Sequence, residues 1–255
     1  MKSIKRISNL FFILLFITGV VLSLYFNMQS IYTDFKGMSF WGYPEVTRFD
    51  PNLPSEGKIK KFHCPMILNK DETGQISAQI VNLSDKEIKP IIQANISKPG
   101  MDEDMVRESI SLEIPANGSE LLTWSVGSEN VLHDRTILIR LYFYNSIYFP
   151  PSETKHCGIV VTDILDLPGR QIVLLIIILQ AILMTLGVYF LKKGLGKIVF
   201  TKRDPIPMLL WIEGILLTMT FSNLFGLWVI GVFLLIVIIL LIVSIIESVF
   251  TADVT

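Results

Sequence analysis

The chain has 255 residues, of which 51% are hydrophobic and only 18% are charged, and its formal net charge is −1. This apolar content exceeds that of an ordinary soluble domain, so we expect a large part of the chain to lie in a lipid bilayer. The near-zero net charge lacks the basic excess that phosphate binding requires, which argues against a nucleic-acid partner.

The N-terminal segment, residues 1–26, carries Lys2, Lys5 and Arg6 ahead of a long apolar run. Basic residues before an apolar run favour a cytoplasmic N-terminus, so we predict a signal-anchor transmembrane helix here. A cleaved signal peptide is the alternative, but the run exceeds a usual signal-peptide core and lacks an Ala-x-Ala pattern. Residues 27–57 are mixed, with aromatic residues followed by prolines, and predict a membrane-proximal linker.

Residues 58–165 change to an alternation of apolar and polar side chains that is interrupted by turn clusters. Runs of this kind indicate half-buried strands, and no helical period separates them. About seven such strands predict a seven-stranded Ig-like β-sandwich. The predicted strands are one that carries Cys64 and six further runs near residues 75–82, 91–96, 109–114, 122–126, 137–144 and 156–161.

The order of these features resembles a known class of module. A cysteine-bearing strand is followed by the strand Gln75–Asn82, a Pro-Ala-Asn-Gly-Ser turn at 115–119 and a strand that contains Trp124. The segment resembles the Ig-like, CARDB-type adhesion modules found outside prokaryotic membranes, and the layout of anchor, sandwich and further helices resembles bacterial multi-span membrane proteins. The resemblance implies a sandwich fold and a binding role, and it carries over no functional residue.

The two cysteines, Cys64 and Cys157, both fall in this segment, and in an oxidising compartment we predict that they form a disulfide. The chain-entropy model associates closure of so long a loop with about 4.5 kcal/mol. Each cysteine follows a histidine, His63 or His156, so a zinc site is the alternative. Neighbours on a strand point to opposite faces, which disfavours one tetrahedral centre, and we predict no metal and no cofactor.

Residues 166–255 form a predicted C-terminal membrane domain, which brings the total to about four transmembrane helices in an α plus β membrane protein. Its last apolar stretch is about twice as long as one span requires, so we divide it into two helices. The first of these two is short, and a re-entrant segment is the alternative. The predicted helices are at about 171–191, 206–222 and 226–249.

Charge bias predicts the orientation of the chain. The segment 192–205 is basic, and basic loops are retained in the cytoplasm. We therefore expect the N-terminus and residues 192–205 to be cytoplasmic and residues 27–170 to be extracytoplasmic, with the sandwich outside the cell membrane.

Two polar residues fall inside the predicted spans, Gln180 and Glu213. Counting along antiparallel helices places them at similar depths, so we predict a hydrogen bond between them, with Thr18 as a further partner. An ionisable group in a span also raises an ion or proton path as the alternative.

Three Asn-x-Ser sequons, at Asn82, Asn95 and Asn117, are candidate glycosylation sites if the host has the machinery. The sequence contains none of the common motifs for catalytic nucleophiles, metalloproteases or redox cysteines, so we predict no catalytic residues. The function expected is that of a non-enzymatic, membrane-anchored binding or accessory protein that presents the sandwich to a membrane-protein or cell-surface partner, either a protein or a surface polymer. The alternative is a small transporter or sensor that uses Glu213 and Gln180.

Overall fold

The chain folds into two compact units in the computed structural model. The helical unit comprises Met1–Ile31 with Val173–Thr255, and the β unit comprises Tyr32–Ile172. The protein is therefore α plus β. The structure describes residues 2–41, 57–100, 105–132, 134–145, 151–163, 166–194 and 206–251.

Four α-helices occur in the described residues: α1 (Lys2–Ser39), α2 (Gly169–Gly194), α3 (Ile206–Leu224) and α4 (Trp228–Thr251). Three contain a stretch long and apolar enough to cross a membrane, and α4 adds a shorter apolar stretch among the described residues. These segments are Leu10–Ser39, Gly169–Lys193, Ile206–Leu224 and Trp228–Ser244. The apolar helices support membrane association.

The sequence-based boundary of the first helix, at residue 26, is wrong, because α1 continues to Ser39. The linker predicted from residue 27 is therefore helical at its start, and its remainder, 42–56, lies outside the described residues. The extension carries polar residues at helical spacing, including Asn27, Ser30 and Asp34, and all three are buried. A buried face made of polar side chains has no hydrophobic periodicity, so the helix boundary predicted from hydrophobicity falls too early.

The short turn between α3 and α4 is built around Gly226, which has a φ of 70°. Its N–H donates to the carbonyl oxygen of Asn223. This is the left-handed conformation that commonly ends a helix and that glycine adopts without steric cost. The two helices lie within two residues of their predicted ends. Of the predicted cytoplasmic segment 192–205, residues 192–194 form the end of α2, and residues 195–205 lie outside the described residues.

The β unit contains eight described strands in two sheets, one more than predicted. The additional strand, β2, has three residues and is too short to show alternation. Apart from the parallel pair β2–β8, the strands pair antiparallel. The smaller sheet has the order β1 (Gly57–His63), β3 (Gly74–Asn82), β6 (Ser119–Val126), and the larger has the order β2 (Ile67–Asn69), β8 (Glu153–Thr162), β7 (Thr136–Tyr144), β4 (Ile91–Ser97), β5 (Met105–Ser111).

The inner faces of the two sheets form one hydrophobic core. On β3 the alternate residues Ile76, Ala78 and Ile80 are fully buried, and Trp124 of β6 lies opposite Ile76 in the register. The larger sheet contributes the alternate residues of β4, β7 and β8 to the same cluster. Two sheets that share a core across their inner faces form a β-sandwich.

β7 differs from the other strands because both of its faces are buried. Ile137 and Ile139 face the core, while Leu138 and Arg140, which point the opposite way, are also almost inaccessible. A strand buried on both faces needs a second layer over its outer face. The end of α1 supplies contacts there.

Candidate functional site

The predicted disulfide between Cys64 and Cys157 is present, with the two Cα atoms 6.5 Å apart. Cys64 directly follows β1 of the smaller sheet, and Cys157 lies in β8 of the larger sheet. The bond therefore joins the two layers of the sandwich. Cys157 is also part of the hydrophobic core, opposite Ile139 in the β7–β8 register.

The zinc alternative at the two His-Cys pairs does not agree with the structure. Both thiols are consumed in the disulfide, so neither is free to coordinate a metal as a thiolate. The histidines also differ in environment, since His63 is exposed and His156 is half-buried. Burial, together with the positive charges of Arg140 and Lys155, lowers the pKa of His156 to about 4.

The end of α1 packs closely on β8. A Cβ atom on Gly158 would lie 2.2 Å from the carbonyl oxygen of Thr33, and a Cβ atom on Gly37 would lie 2.7 Å from the carbonyl oxygen of Cys157. Both positions therefore require glycine for the helix to approach the strand. The Gly158 N–H also donates to the Asp34 carboxylate at 3.3 Å.

Arg140 is held between the outer face of β7 and the residues that follow Gly37. Its guanidinium donates to the carbonyl oxygen of Met38 and, at 3.2 Å, to the Tyr142 hydroxyl. The guanidinium carbon lies 5.8 Å from the ring centroid of Trp41, within the range of a cation–π contact. An ion pair between Lys36 and Asp134 adds a second charged contact between the helix and the β unit's loops.

The first turn of α2 also belongs to the β unit and is hydrogen-bonded to it. The Glu72 carboxylate, in the β2–β3 loop, accepts the N–H of Gly169 at 2.7 Å and the N–H of Asn69 at 2.9 Å. Gly169 is the first residue of α2, so a negative charge satisfies an unpaired donor at the positive end of the helix dipole. A Cβ atom on Gly169 would lie 1.9 Å from the carbonyl oxygen of Ile67.

Gln180 belongs to a buried polar cluster in the helical unit, formed by α1, α2 and α3. The Asn27 side-chain amide donates to Thr220 at 2.9 Å, and the Gln180 amide donates to the same hydroxyl at 3.2 Å. The Asn223 amide donates to the Asn27 side-chain oxygen at 2.8 Å. All four residues are almost fully buried, so the interior of this unit is hydrogen-bonded as well as apolar.

Glu213 is not in this cluster, and the predicted hydrogen bond between Glu213 and Gln180 is wrong. Glu213 instead accepts a hydrogen bond from the Thr185 hydroxyl at 2.6 Å, on an exposed part of the helical unit. Thr18 donates to the carbonyl oxygen of Leu14 in its own helix. Similar depth along antiparallel helices does not define which faces meet, and here the two polar groups face different ways.

The three sequons differ in accessibility. Asn82 is 1% exposed, and its side-chain amide donates to the carbonyl oxygens of Lys86, Ile114 and Pro115. Asn95 is also buried, whereas Asn117 is exposed. A glycan on Asn82 would displace three hydrogen bonds, so Asn117 is the sequon that the folded chain leaves accessible.

Sequence reasoning missed Asn27, Asn223, Arg140 and Gly158. An amide near the end of an apolar run and an arginine inside the apolar run 137–144 are visible in the sequence, and both mark polar groups that need buried partners. Gly158 gives no such signal, because its role depends on how closely α1 approaches β8.

No family model and no curated protein matches the chain. Among solved structures, the CARDB domain of a Pyrococcus furiosus protein in complex with di-metal ions aligns at 7% identity over 41% of this chain and 91% of that chain, with a TM-score of 0.33. The C-terminal domain of wzt aligns at 11% identity over 44% of this chain and 77% of that chain, also with a TM-score of 0.33. A β-glucosidase from Listeria innocua in complex with glucose aligns at 17% identity and a TM-score of 0.30, over 41% of this chain but only 16% of its own length. At these TM-scores the similarities establish neither a family nor an activity.

His156 should make the stability of the β unit depend on pH. Its folded pKa of about 4 lies below the ordinary value of 6.5, so the unfolded chain takes up the proton first. The contribution of His156 to the free energy of unfolding should therefore be fully present above pH 6.5 and be lost as the pH is lowered towards 4. Urea unfolding of the detergent-solubilised protein across this range should show a weaker decline for His156→Gln than for the wild type.

The matched control for this experiment is His63→Gln, because His63 is the exposed member of the other His-Cys pair. It should retain the decline in stability that His156 causes. Equal pH profiles for His156→Gln and the wild type would show that His156 does not contribute.

Glu72 should stabilise the start of α2. Glu72→Ala removes the acceptor of two backbone N–H groups and should cost about 1–2 kcal/mol, with faster hydrogen exchange in the first turn of α2. Asp71→Ala, at the exposed neighbouring position, should be close to neutral. If the two variants had the same effect, the capping role would be wrong.

Proposed function

We infer that the protein is a non-enzymatic accessory subunit of a membrane complex. Its four helices span the membrane and hold the β-sandwich on the extracytoplasmic side, where the sandwich docks an extended segment of a partner protein. The observation that carries this proposal is the difference between the edges of the smaller sheet, of which one is protected against further strand pairing and the other is open.

Helix length and charge support the membrane arrangement. α1 has 38 residues and is about 57 Å long, well beyond the roughly 30 Å of a hydrocarbon core. Lys2, Lys5 and Arg6 lie at the start of α1, and Lys192 and Lys193 lie in the last turn of α2. The positive-inside bias favours these ends in the cytoplasm, which leaves the β unit outside. The disulfide is consistent with an oxidising, extracytoplasmic compartment.

The β1 edge has the features of a protected edge. Lys58, Lys60 and Lys61 lie along β1, and the register shifts between Ile59 and Lys61. Charged lysines and a bulge both hinder the addition of another strand. β2, at the edge of the larger sheet, has only three residues and offers little to pair with.

The β6 edge lacks these features. β6 runs for eight residues, Ser119–Val126, and is hydrogen-bonded to β3 on one side, with no described strand on the other. No proline, lysine or arginine interrupts it, and Leu121 is 63% exposed. An open edge with an exposed apolar side chain suits an added strand, whose backbone supplies affinity and whose side chains contact Leu121.

Site-specific photo-crosslinking in native membranes tests this docking. A photoreactive residue placed at Thr123, which is exposed on β6, should give a discrete protein adduct, and one at Lys60 on the β1 edge should give none. Leu121→Lys should reduce the Thr123 adduct, because a lysine on the edge opposes strand addition. Equal adducts from Thr123 and Lys60, or a Thr123 adduct that Leu121→Lys leaves unchanged, would contradict the proposal.

A further inference from the structure

Glu213 lies near the middle of α3, within the candidate span Ile206–Leu224. It is only half-buried, and the Thr185 hydroxyl that donates to it is exposed. Gly214 is exposed, with no atom within 4 Å of the position that a Cβ would occupy, and Thr218 one turn further is also exposed. We call these four residues the Glu213 patch. It lies on the outer surface of the helical unit, apart from the buried cluster around Thr220.

In a hydrocarbon environment the Glu213 carboxylate lacks most of the hydrogen-bond or ionic partners that it needs. A carboxyl group at mid-span is costly unless donors or a cation accompany it. A carboxylate offers about four acceptor positions, and the Thr185 hydroxyl occupies one. Among the side chains that the structure describes, no lysine, arginine or histidine lies within salt-bridge distance of Glu213.

A second copy of this chain could not supply the missing cation at the same depth. α3 and the apolar stretch of α4 contain no lysine or arginine, and the basic residues of the other candidate spans lie near their ends. Those residues are Lys36 in Leu10–Ser39 and Arg170, Lys192 and Lys193 in Gly169–Lys193. A lysine or arginine that pairs with Glu213 at this depth would therefore have to come from another protein.

We propose that the Glu213 patch is an assembly site for a membrane-spanning helix of a partner protein that carries a lysine or arginine near its middle. The Glu213 carboxylate pairs with that cation, and Thr185 orients the carboxylate. Gly214 has no side chain, which allows the partner backbone to approach closely, as small residues do at helix interfaces in membranes. This inference rests on the proposed accessory function and names the chemistry of the partner's membrane segment.

The test measures energy transfer between the labelled full-length protein and labelled single-span helices in phosphatidylcholine vesicles. The probes are polyleucine helices with one central lysine, one central glutamate, or leucine throughout. The lysine helix should associate about tenfold more tightly than the all-leucine helix, as one interhelical polar contact in a membrane allows. The glutamate helix should associate no better than the all-leucine helix.

Variants test whether the preference for the lysine helix depends on the Glu213 patch. Glu213→Gln should abolish the preference for lysine, and Glu213→Asp, which keeps the charge, should retain most of it. Thr185→Val should weaken it without changing the fold, which is checked by retention of the Cys64–Cys157 disulfide and a monodisperse elution profile. The control Phe233→Leu, on the exposed face of α4, should have no effect.

Two results would overturn the proposal. One is equal association of the lysine and all-leucine helices with the wild type, or a lysine preference that survives Glu213→Gln. The other is self-association of the wild type that Glu213→Gln abolishes and that the lysine helix does not compete, which would make the patch a contact between copies. Either result would leave the photo-crosslinking at β6 unaffected, so failure of this inference is distinguishable from failure of the proposed function.

Discussion

The packing of the end of α1 on the outer face of β7 and β8 is the contact on which the β unit depends. It explains why β7 is buried on both faces, why Gly158 and Gly37 carry no side chains, and why a fully buried Arg140 is tolerated in a strand. A buried cation is costly unless its donors are satisfied. The Met38 carbonyl, the Tyr142 hydroxyl and the Trp41 ring all face the Arg140 guanidinium.

Polar groups are also satisfied, and backbones also packed closely, at the C-terminal end of the β unit. The first turn of α2 begins with its N–H group bonded to Glu72, and Gly169 allows close contact with the backbone of Ile67. The β unit thus includes a packed helical segment on each side in sequence, in addition to its two sheets. A module built in this way is defined by its helix contacts as much as by its sandwich core.

The helical unit uses polar groups in two different ways. Asn27, Gln180, Thr220 and Asn223 are buried together and hydrogen-bond across three helices, which stabilises the interior of the unit. Glu213 lies outside that network with one hydroxyl partner. The buried residues are linked to one another by hydrogen bonds, whereas the half-buried Glu213 lies near the middle of the candidate span Ile206–Leu224, where an ionisable group is costly.

Much of the architecture could be predicted from the sequence, because most of it follows from hydrophobic pattern. Alternation along Gln75–Val81 indicates a half-buried strand, and the presence of both cysteines in the predicted sandwich segment 58–165 indicates the disulfide. The extension of α1 could not be predicted, since Asn27, Ser30 and Asp34 make its buried face polar. The contact partners of Gln180 and Glu213 could not be predicted either, because depth in a span does not determine which helix faces meet.

Hydrogen–deuterium exchange of residues 33–39 in the full-length protein is the most direct test of the central contact. The account predicts that these amides exchange as slowly as those of β7, and that Gly158→Val accelerates their exchange while leaving β3 unchanged. Rapid exchange of residues 33–39 in the wild type, or no response to Gly158→Val, would contradict it.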